Sequence, residues 1–164
     1  MSKRQFSLAL AVAALVSAAP LAAQSAHSAH GNEAVVRALF DEAWSAGSFG
    51  NLGHLLAPEL QFHFRGRARP TSVAQFQEMV GMWRTAFPDL RFNIEDIVSN
   101  GDRVAARFTF TGTHRGALFG IEPTGRTVNV TMMGFFRLAD GRVTEMWEDY
   151  DEAGMRQQLT RAQG

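Results

Sequence analysis

The spacing of apolar residues changes at Pro88, and this change limits the possible folds more than any other feature of the 164-residue chain. Before Pro88, apolar residues recur at steps of three and four, which is typical of amphipathic helices. After Pro88 they alternate with polar residues, which is typical of half-buried strands. Asn100-Gly101 and Asp140-Gly141 interrupt the alternating runs, and such dipeptides favour tight hairpin turns. The sequence therefore predicts an α+β fold, with N-terminal helices packed on a curved, mostly antiparallel sheet.

Two long helices are predicted before Pro88, and a short helix carrying Leu52, Leu55 and Leu56 is predicted between them. The first begins near Asn32 and ends at Gly47. The second begins at Ser72, where Gln75 has the spacing of a capping box, and it ends before Pro88. Their apolar faces comprise Val36, Leu39, Phe40, Ala43 and Trp44 in the first helix, and Val73, Phe76, Val80, Trp83 and Phe87 in the second.

The segment between these helices predicts a short strand and a turn. Residues 60–64 alternate, so that Phe62 and Phe64 share one face and His63 lies on the other. Residues 65–70, RGRARP, predict a turn because they combine glycine, proline and charge.

Four strands are predicted after Pro88, each with an apolar face set by alternation. The first three have their apolar faces at Phe92, Ile94 and Val98, at Val104, Ala106, Phe108 and Phe110, and at Val128, Val130, Met132, Phe136 and Leu138. In the last strand, Val143, Glu145 and Trp147 are predicted on one face, and Thr144, Met146, Glu148 and Tyr150 on the other.

The N-terminal stretch has the organisation of a secretory signal peptide. Lys3 and Arg4 form a positive n-region, an apolar run follows at 6–19, and small residues allow cleavage after Ala23. The alternative is a membrane anchor, but the run is shorter than the roughly 20 residues that span a bilayer. The sequence therefore predicts a protein exported to the periplasm or secreted.

This interpretation divides the chain into three parts. Residues 1–23 are predicted to be the signal peptide, 24–31 a disordered leader, and 32–160 a single domain. No later apolar run is long enough to span a membrane, so no stable membrane insertion is expected after cleavage.

Composition excludes several kinds of site. The basic residues are scattered and the formal net charge is +0, which argues against a nucleic-acid partner. The absence of cysteine excludes disulfides, thiolate nucleophiles and cysteine-ligated metals. A metal site built from His63, His114 and a carboxylate has no support in their spacing, so no metal is predicted.

A group of carboxylates near the C-terminus carries the strongest signal for chemistry. Glu145, Glu148, Asp149 and Asp151 crowd the last predicted strand and its exit. They cannot all face the same way, because strand side chains alternate. Desolvation would raise the pKa of a carboxylate that faced an apolar cavity, and such a group suits general acid–base catalysis. The alternative is a solvated acidic edge strand.

Several short motifs follow one another in a characteristic order. They are FPDL at 87–90, GDRVAAR at 101–107, GTHRG at 112–116, GIEPTGR at 120–126, DGRV at 140–143, then Glu145, Trp147 and Asp151, and QQL at 157–159. This ordered set, from about Glu33 to Leu159, resembles the SnoaL-like polyketide cyclases, also called ester cyclases. The resemblance implies the cone-shaped fold of nuclear transport factor 2, ketosteroid isomerase and limonene epoxide hydrolase.

The resemblance also implies a reaction. The founding cyclases close a ring by intramolecular aldol condensation of a polyketide ester, without a metal or a cofactor. One acidic residue of the last strand is their general acid/base, and from the Asp140-Gly141 turn it matches Glu148, a Glu where they have Asp. The same matching places their pocket histidine at Gly134.

Three hypotheses follow for function. In the first, Glu148 is the general acid/base of a cyclase or isomerase, with His63 or His114 orienting the small-molecule substrate. The walls of the cavity are then predicted to be Phe62, Met82, Trp83, Met132, Met146 and Trp147. In the second, which Gly134 favours, the same cavity belongs to a non-catalytic periplasmic binding module. In the third, the open face of the sheet mediates a structural or homodimeric association.

Overall fold

A computed structural model describes residues 31–50, 52–64 and 66–161 of the chain. The predicted signal peptide and residues 24–30 of the predicted leader lie outside these residues. Gly31 already belongs to the first helix.

Within the described residues, three helices pack on one curved, six-stranded sheet. Helix α1 covers 31–39 and continues as a π-helix over Phe40–Ala46, α2 is Val73–Ala86, and α3 is Glu152–Thr160. The strands are β1 Leu56–Phe64, β2 Arg67–Ser72, β3 Arg91–Asn100, β4 Arg103–Thr113, β5 Thr127–Ala139 and β6 Arg142–Tyr150. A short 3-10 turn, Leu52–His54, precedes β1.

The strand order in the sheet is β2-β1-β6-β5-β4-β3. Strands β1 and β6 pair in parallel, and the other neighbours are antiparallel. The α+β prediction with a mostly antiparallel sheet is confirmed. The parallel pair is important for the site because it brings the start of the domain against its last strand.

The helix ends follow from the predicted local chemistry. Ser72 and Gln75 form a complete capping box: the Ser72 hydroxyl accepts from the Gln75 N–H, and the Gln75 side chain accepts from the Ser72 N–H. Helix α1 ends at Gly47, whose φ of 67° lies in the left-handed region that favours glycine. Asn32 lies inside α1, where its side chain donates to the Gly101 carbonyl.

The predicted turn at 65–70 is wrong, because residues from Arg67 onwards form strand β2. This strand pairs with β1 and forms one edge of the sheet. A sheet edge tolerates Pro70, which cannot donate to a backbone ladder. Mostly exposed side chains along β2 explain why it lacks the apolar alternation of a strand with a buried face.

Two β-bulges change the predicted facing of side chains. In β3, a register shift between Ile94 and Asp96 turns Ile97 towards the core and leaves Val98 65% exposed. In β6, the register shifts between Val143 and Glu145, so these two residues face opposite sides of the sheet instead of sharing one. A bulge inserts one residue and thereby inverts the alternation beyond it.

The core lies between the helices and the inner face of the sheet. Its centre contains Phe40 of α1, Phe108 of β4 and Phe136 of β5, all fully buried. The ring centroids of Phe40 and Phe108 are 4.1 Å apart, and those of Phe108 and Phe136 are 6.4 Å apart. Phe40 also packs against Trp44 and Phe92, two residues that line the cavity described next.

Candidate active site

An apolar cavity of about 160 Å³ lies between helices α1 and α2 and the inner face of the sheet. It is lined by Trp44, Phe62, Phe64, Arg69, Met79, Met82, Trp83, Phe92, Phe110, Phe119, Met132, Glu148 and Tyr150. An engineered protein cavity of about 150 Å³ holds one benzene ring, so this space suits a small ring system.

Glu148 is the acidic residue that the described part of the chain places in this cavity. It lies on the inner face of β6 and is 5% exposed. Its Oε1 is buried and has no hydrogen-bond partner among the described residues. Desolvation by burial raises the pKa of Glu148 to about 8. A carboxyl group with such a pKa changes protonation near neutral pH, as general acid–base catalysis requires.

The neighbouring carboxylates are placed elsewhere. Glu145 faces the outer side of the sheet, where Arg137 Nη1 donates to its Oε2 at 2.7 Å. Asp149 is exposed, and Asp151 caps α3 by accepting from the Gly154 N–H at 2.8 Å. Of the four carboxylates that crowd this part of the sequence, Glu148 is thus the one that lines the cavity.

His63 does not line the cavity, which corrects its expected position. Phe62 and Phe64 face inward from β1, so His63 between them faces the outer side of the sheet. There its Nε2 lies 2.8 Å from Glu145 Oε1, and its ring stacks on Trp147 at a centroid distance of 4.6 Å.

Trp147 and Met146, both predicted as cavity walls, also lie elsewhere. Trp147 alternates with Glu148 along β6 and therefore lies on the outer face beside His63. Met146 faces inward, but it is completely buried in the core opposite Phe136 and does not reach the cavity. The other four predicted walls, Phe62, Met82, Trp83 and Met132, do line it.

His114 is completely buried in the connection between β4 and β5, away from the cavity lining. Its Nδ1 accepts from the Thr124 N–H at 3.3 Å, and its ring packs against Phe87 at 5.2 Å. Desolvation lowers the pKa of His114, so the neutral ring is favoured. The expected position of this histidine is corrected as well. His114 stabilises the β4–β5 connection through these contacts, and it does not line the cavity.

Gly134 lies directly opposite Glu148 in the pairing of β5 with β6. A Cβ at this position would lie 2.6 Å from the ring of Phe136 and 3.2 Å from that of Phe108. The space that the resemblance gave to a histidine is thus taken by aromatic rings. No histidine belongs to the cavity lining that the described residues form.

Several lining residues were not predicted as site residues. Alternation placed Phe64 and Phe110 on apolar faces, and it placed Tyr150 on the same face as Glu148, so the signal was available for them. Arg69 was not recognised because it lies in the segment that was predicted as a turn. Phe119 lies in the irregular β4–β5 connection with a φ of 50°, and no spacing rule points to it.

The described residues yield two negative findings. Across 31–50, 52–64 and 66–161, no helix is long and apolar enough to cross a bilayer. The same part of the chain contains no group of three or more histidine, aspartate and glutamate side chains arranged to hold a metal ion.

The helices, the curved sheet and the cavity together define an α+β protein of the nuclear transport factor 2-like class. The sequence model of the SnoaL-like polyketide cyclases matches residues 34–159. The chain therefore belongs to the SnoaL-like polyketide cyclase family, and the predicted resemblance is confirmed.

Solved structures show the same relationship. A protein from Jannaschia sp. CCS1, assigned as a SnoaL-like polyketide cyclase, is 27% identical with a TM-score of 0.75, covering 82% of this chain and 95% of its own. IdmH from Streptomyces antibioticus, assigned as a polyketide cyclase, is 30% identical with a TM-score of 0.70, covering 78% and 97%. AclR from Streptomyces galilaeus, assigned as a hydroxylase, is 26% identical with a TM-score of 0.71, covering 82% and 84%. No curated protein matches the chain significantly.

Proposed function

We propose that this protein binds a small, largely apolar carbonyl compound in its cavity and that Glu148 acts on it as a general acid/base without a cofactor. One observation carries the proposal: the carboxyl group of Glu148 is buried in an apolar cavity, has an unpartnered oxygen and has its pKa raised to about 8. Family membership supports a small-molecule ligand.

The raised pKa of Glu148 suits both directions of proton transfer. With a pKa of about 8, roughly a tenth of the groups are ionised at pH 7, and desolvation makes that carboxylate a stronger base than an ordinary one. It can take a proton from the carbon next to a carbonyl group, and in its protonated form it can return one. Cyclisation or isomerisation next to a carbonyl is the reaction class that this exchange serves.

The proposal is tested by titrating the side-chain carboxyl of Glu148 by NMR, with the resonance assigned through Glu148→Gln. We expect a midpoint near 8 and loss of turnover in Glu148→Gln, tested on aromatic ketones and ketoesters. Asp149→Asn is the matched control, because Asp149 is the next residue of β6 and is exposed. A titration midpoint of Glu148 near 4.5, or full turnover in Glu148→Gln, would contradict its proposed role as general acid/base.

A non-catalytic binding module is the second candidate. It is favoured by Gly134, which is paired with Glu148 and lies at the position to which the resemblance assigns a histidine. The two candidates are distinguished by incubating the protein with a bound aromatic ketone in deuterated water. Deuterium incorporated next to the carbonyl group in wild type, and not in Glu148→Gln, supports catalysis, whereas ligand recovered without deuterium supports the binding module.

We also propose that the protein is exported, on the basis of the signal peptide that the sequence predicts at residues 1–23. Expression of the full chain in a bacterial host tests this. A periplasmic or secreted product whose mass corresponds to a chain beginning at Gln24 is expected, and a cytoplasmic full-length product would contradict export.

Association of two copies through the outer face of the sheet is a further part of the proposal. Met133 and Val98 are 62% and 65% exposed there, and Phe135 packs edge-on against Trp147 beside them. Met133→Lys should then shift a dimer to monomer in light scattering, and a wild-type monomer at all concentrations would exclude this association.

A further inference from the structure

A second polar group without a partner lines the cavity besides Glu148. Trp44 is 4% exposed, and its indole Nε1 is buried with no hydrogen-bond acceptor among the described residues. Buried donors in folded proteins are nearly always paired, so each exception calls for a structural or functional explanation. The same mostly apolar cavity is therefore lined by a residue with an unpartnered indole N–H and by one with an unpartnered carboxyl oxygen.

The Trp44 side chain is held in place from several sides. It stacks on Phe40, and it packs against Phe92 and Phe76 at centroid distances of 5.3 and 6.0 Å. Its backbone carbonyl accepts from Arg84 Nη1 at 2.8 Å. The indole cannot turn to find an acceptor elsewhere without repacking these rings, so its N–H stays where the helix places it.

The backbone around Trp44 is also unusual. Trp44 lies in the π-helical part of α1, Phe40–Ala46. Helices rarely contain π turns, and when they do, the turn frequently lies at a functional site, where the extra residue reorients a side chain. The unpaired donor and the π turn are independent observations, and both concern the same residue.

We propose that the indole N–H of Trp44 donates a hydrogen bond to the carbonyl oxygen of the ligand, and that Trp44 is thereby a substrate-positioning residue in the cavity that Glu148 also lines. The substrate class follows: an apolar, ring-sized carbonyl compound whose oxygen is an acceptor. This inference rests on the proposed function for its chemistry, although the binding contact stands without it.

In the reaction, the C–H bond next to the carbonyl group breaks and its proton goes to the Glu148 carboxylate. The electron pair forms the enolate, whose oxygen gains negative charge and accepts from Trp44 N–H. In a cyclisation, the enolate carbon attacks a second carbonyl group of the same molecule, whose C=O π bond opens to an alkoxide that takes the proton back from Glu148. In an isomerisation, the enolate is conjugated with a double bond, and Glu148 returns the proton to a different carbon of that system. A fixed donor aimed at this oxygen stabilises the charge as it develops.

The experiment uses two probes of nearly the same shape, acetophenone and α-methylstyrene, which differ in carrying C=O or C=CH₂. Dissociation constants are measured for wild type and Trp44→Phe by NMR titration. The ratio of the two constants removes the contribution of ring packing, because both probes lose the same packing. We expect Trp44→Phe to lower the preference for acetophenone by about three- to tenfold, the net effect of one neutral hydrogen bond.

Trp83→Phe is the matched control, since Trp83 lines the same cavity and its N–H is not among the buried, unpartnered donors. It should change both dissociation constants by a similar factor. An unchanged ratio in a folded Trp44→Phe variant would overturn the proposal.

A second measurement keeps the test decisive if Trp44→Phe fails to fold. In ¹⁵N-labelled wild type, the chain has three indole N–H signals, and the Trp44 signal should move downfield with acetophenone and little with α-methylstyrene. Equal shifts with both probes, or no binding of acetophenone up to its solubility limit, would overturn the assignment. The Glu148 titration separates the two proposals: a Glu148 midpoint near 4.5 with an acetophenone-specific Trp44 shift refutes only the acid–base chemistry.

Discussion

Gly134 of β5 and Glu148 of β6 are directly paired on the inner face of the sheet. Because Gly134 has no side chain, aromatic rings pack closely against its backbone, next to Glu148. The ring of Phe136 occupies the place where a Cβ on Gly134 would lie. Glu148 therefore has an aromatic neighbourhood instead of a polar partner across the strand pair. Burial in these surroundings is the desolvation that raises the pKa of Glu148.

Gly134→Ala should destabilise the protein because its Cβ would overlap Phe136, which is completely buried. Overpacking of this kind costs about 1–3 kcal/mol. Urea unfolding followed by circular dichroism measures the change in the free energy of unfolding. Gly81→Ala in α2 is the control: no atom lies within 4 Å of the added Cβ, so a stabilisation of about 0.5–1 kcal/mol is expected. Equal effects at the two sites would contradict the packing argument.

The stability of wild type should fall relative to Glu148→Gln as the pH rises from about 4.5 to 8. In the folded state Glu148 keeps its proton up to about pH 8, whereas its ordinary pKa is 4.5. Between these values the folded state binds more protons, so raising the pH favours unfolding. At 1.36 kcal/mol per unit, the loss is about 3–5 kcal/mol across this range.

Urea unfolding of both proteins at several pH values measures this difference. The contribution of Glu148 is fully present below pH 4.5 and lost above about pH 8. Parallel stability curves for wild type and Glu148→Gln would mean that the carboxyl group is solvated in the folded state.

Alternation accounts for most of what the sequence could predict. It placed Phe62 and Met132 correctly because the alternation around each of them is intact, whereas Glu148 lies beyond a bulge and was singled out by the family resemblance. It also placed His63 on the face opposite Phe62, and only the family's missing histidine recommended His63 for the cavity. A periodic pattern thus predicts which side of the sheet a side chain faces more reliably than the expectation that a catalytic partner must be present.

The prediction fails where no periodic signal exists. A bulge after Val143 inverts the facing of β6, and its position depends on pairing with β5, which a single strand does not encode. Arg69 lies on an exposed edge strand, where packing imposes no alternation. The long β4–β5 connection has no period at all, so neither the burial of His114 nor the approach of Phe119 to the cavity could be predicted.

His114 should titrate at a lower pH in the folded protein than in the unfolded one. Burial lowers its pKa in the folded state, so protonation favours unfolding. This histidine's contribution to stability is therefore present above its ordinary pKa of 6.5 and decreases as the pH falls below that value. NMR titration of the His114 ring signals with and without urea measures the two midpoints, and coincident midpoints would show that the ring is hydrated in the fold.

Arg69 should favour ligands that carry a negative charge at the cavity opening. It lines the cavity from the exposed edge strand β2, and it is the basic residue among the described lining. Arg69→Gln should weaken the binding of benzoate by about two- to fivefold, because the attraction between exposed charges is small and screened by salt. The binding of acetophenone, which is neutral, should change little.

The comparison of Arg69→Gln with Arg67→Gln makes this prediction specific. Arg67 lies two residues away on the same strand, is also exposed and does not line the cavity. Both variants remove one positive charge, so a general change in the protein's field would weaken benzoate equally in each. Loss of benzoate affinity in Arg69→Gln alone, diminishing as salt is added, would assign the effect to a direct contact at the opening. Equal losses in both variants would mean that the cavity selects its ligand by the apolar walls and the two inner polar groups, Trp44 and Glu148.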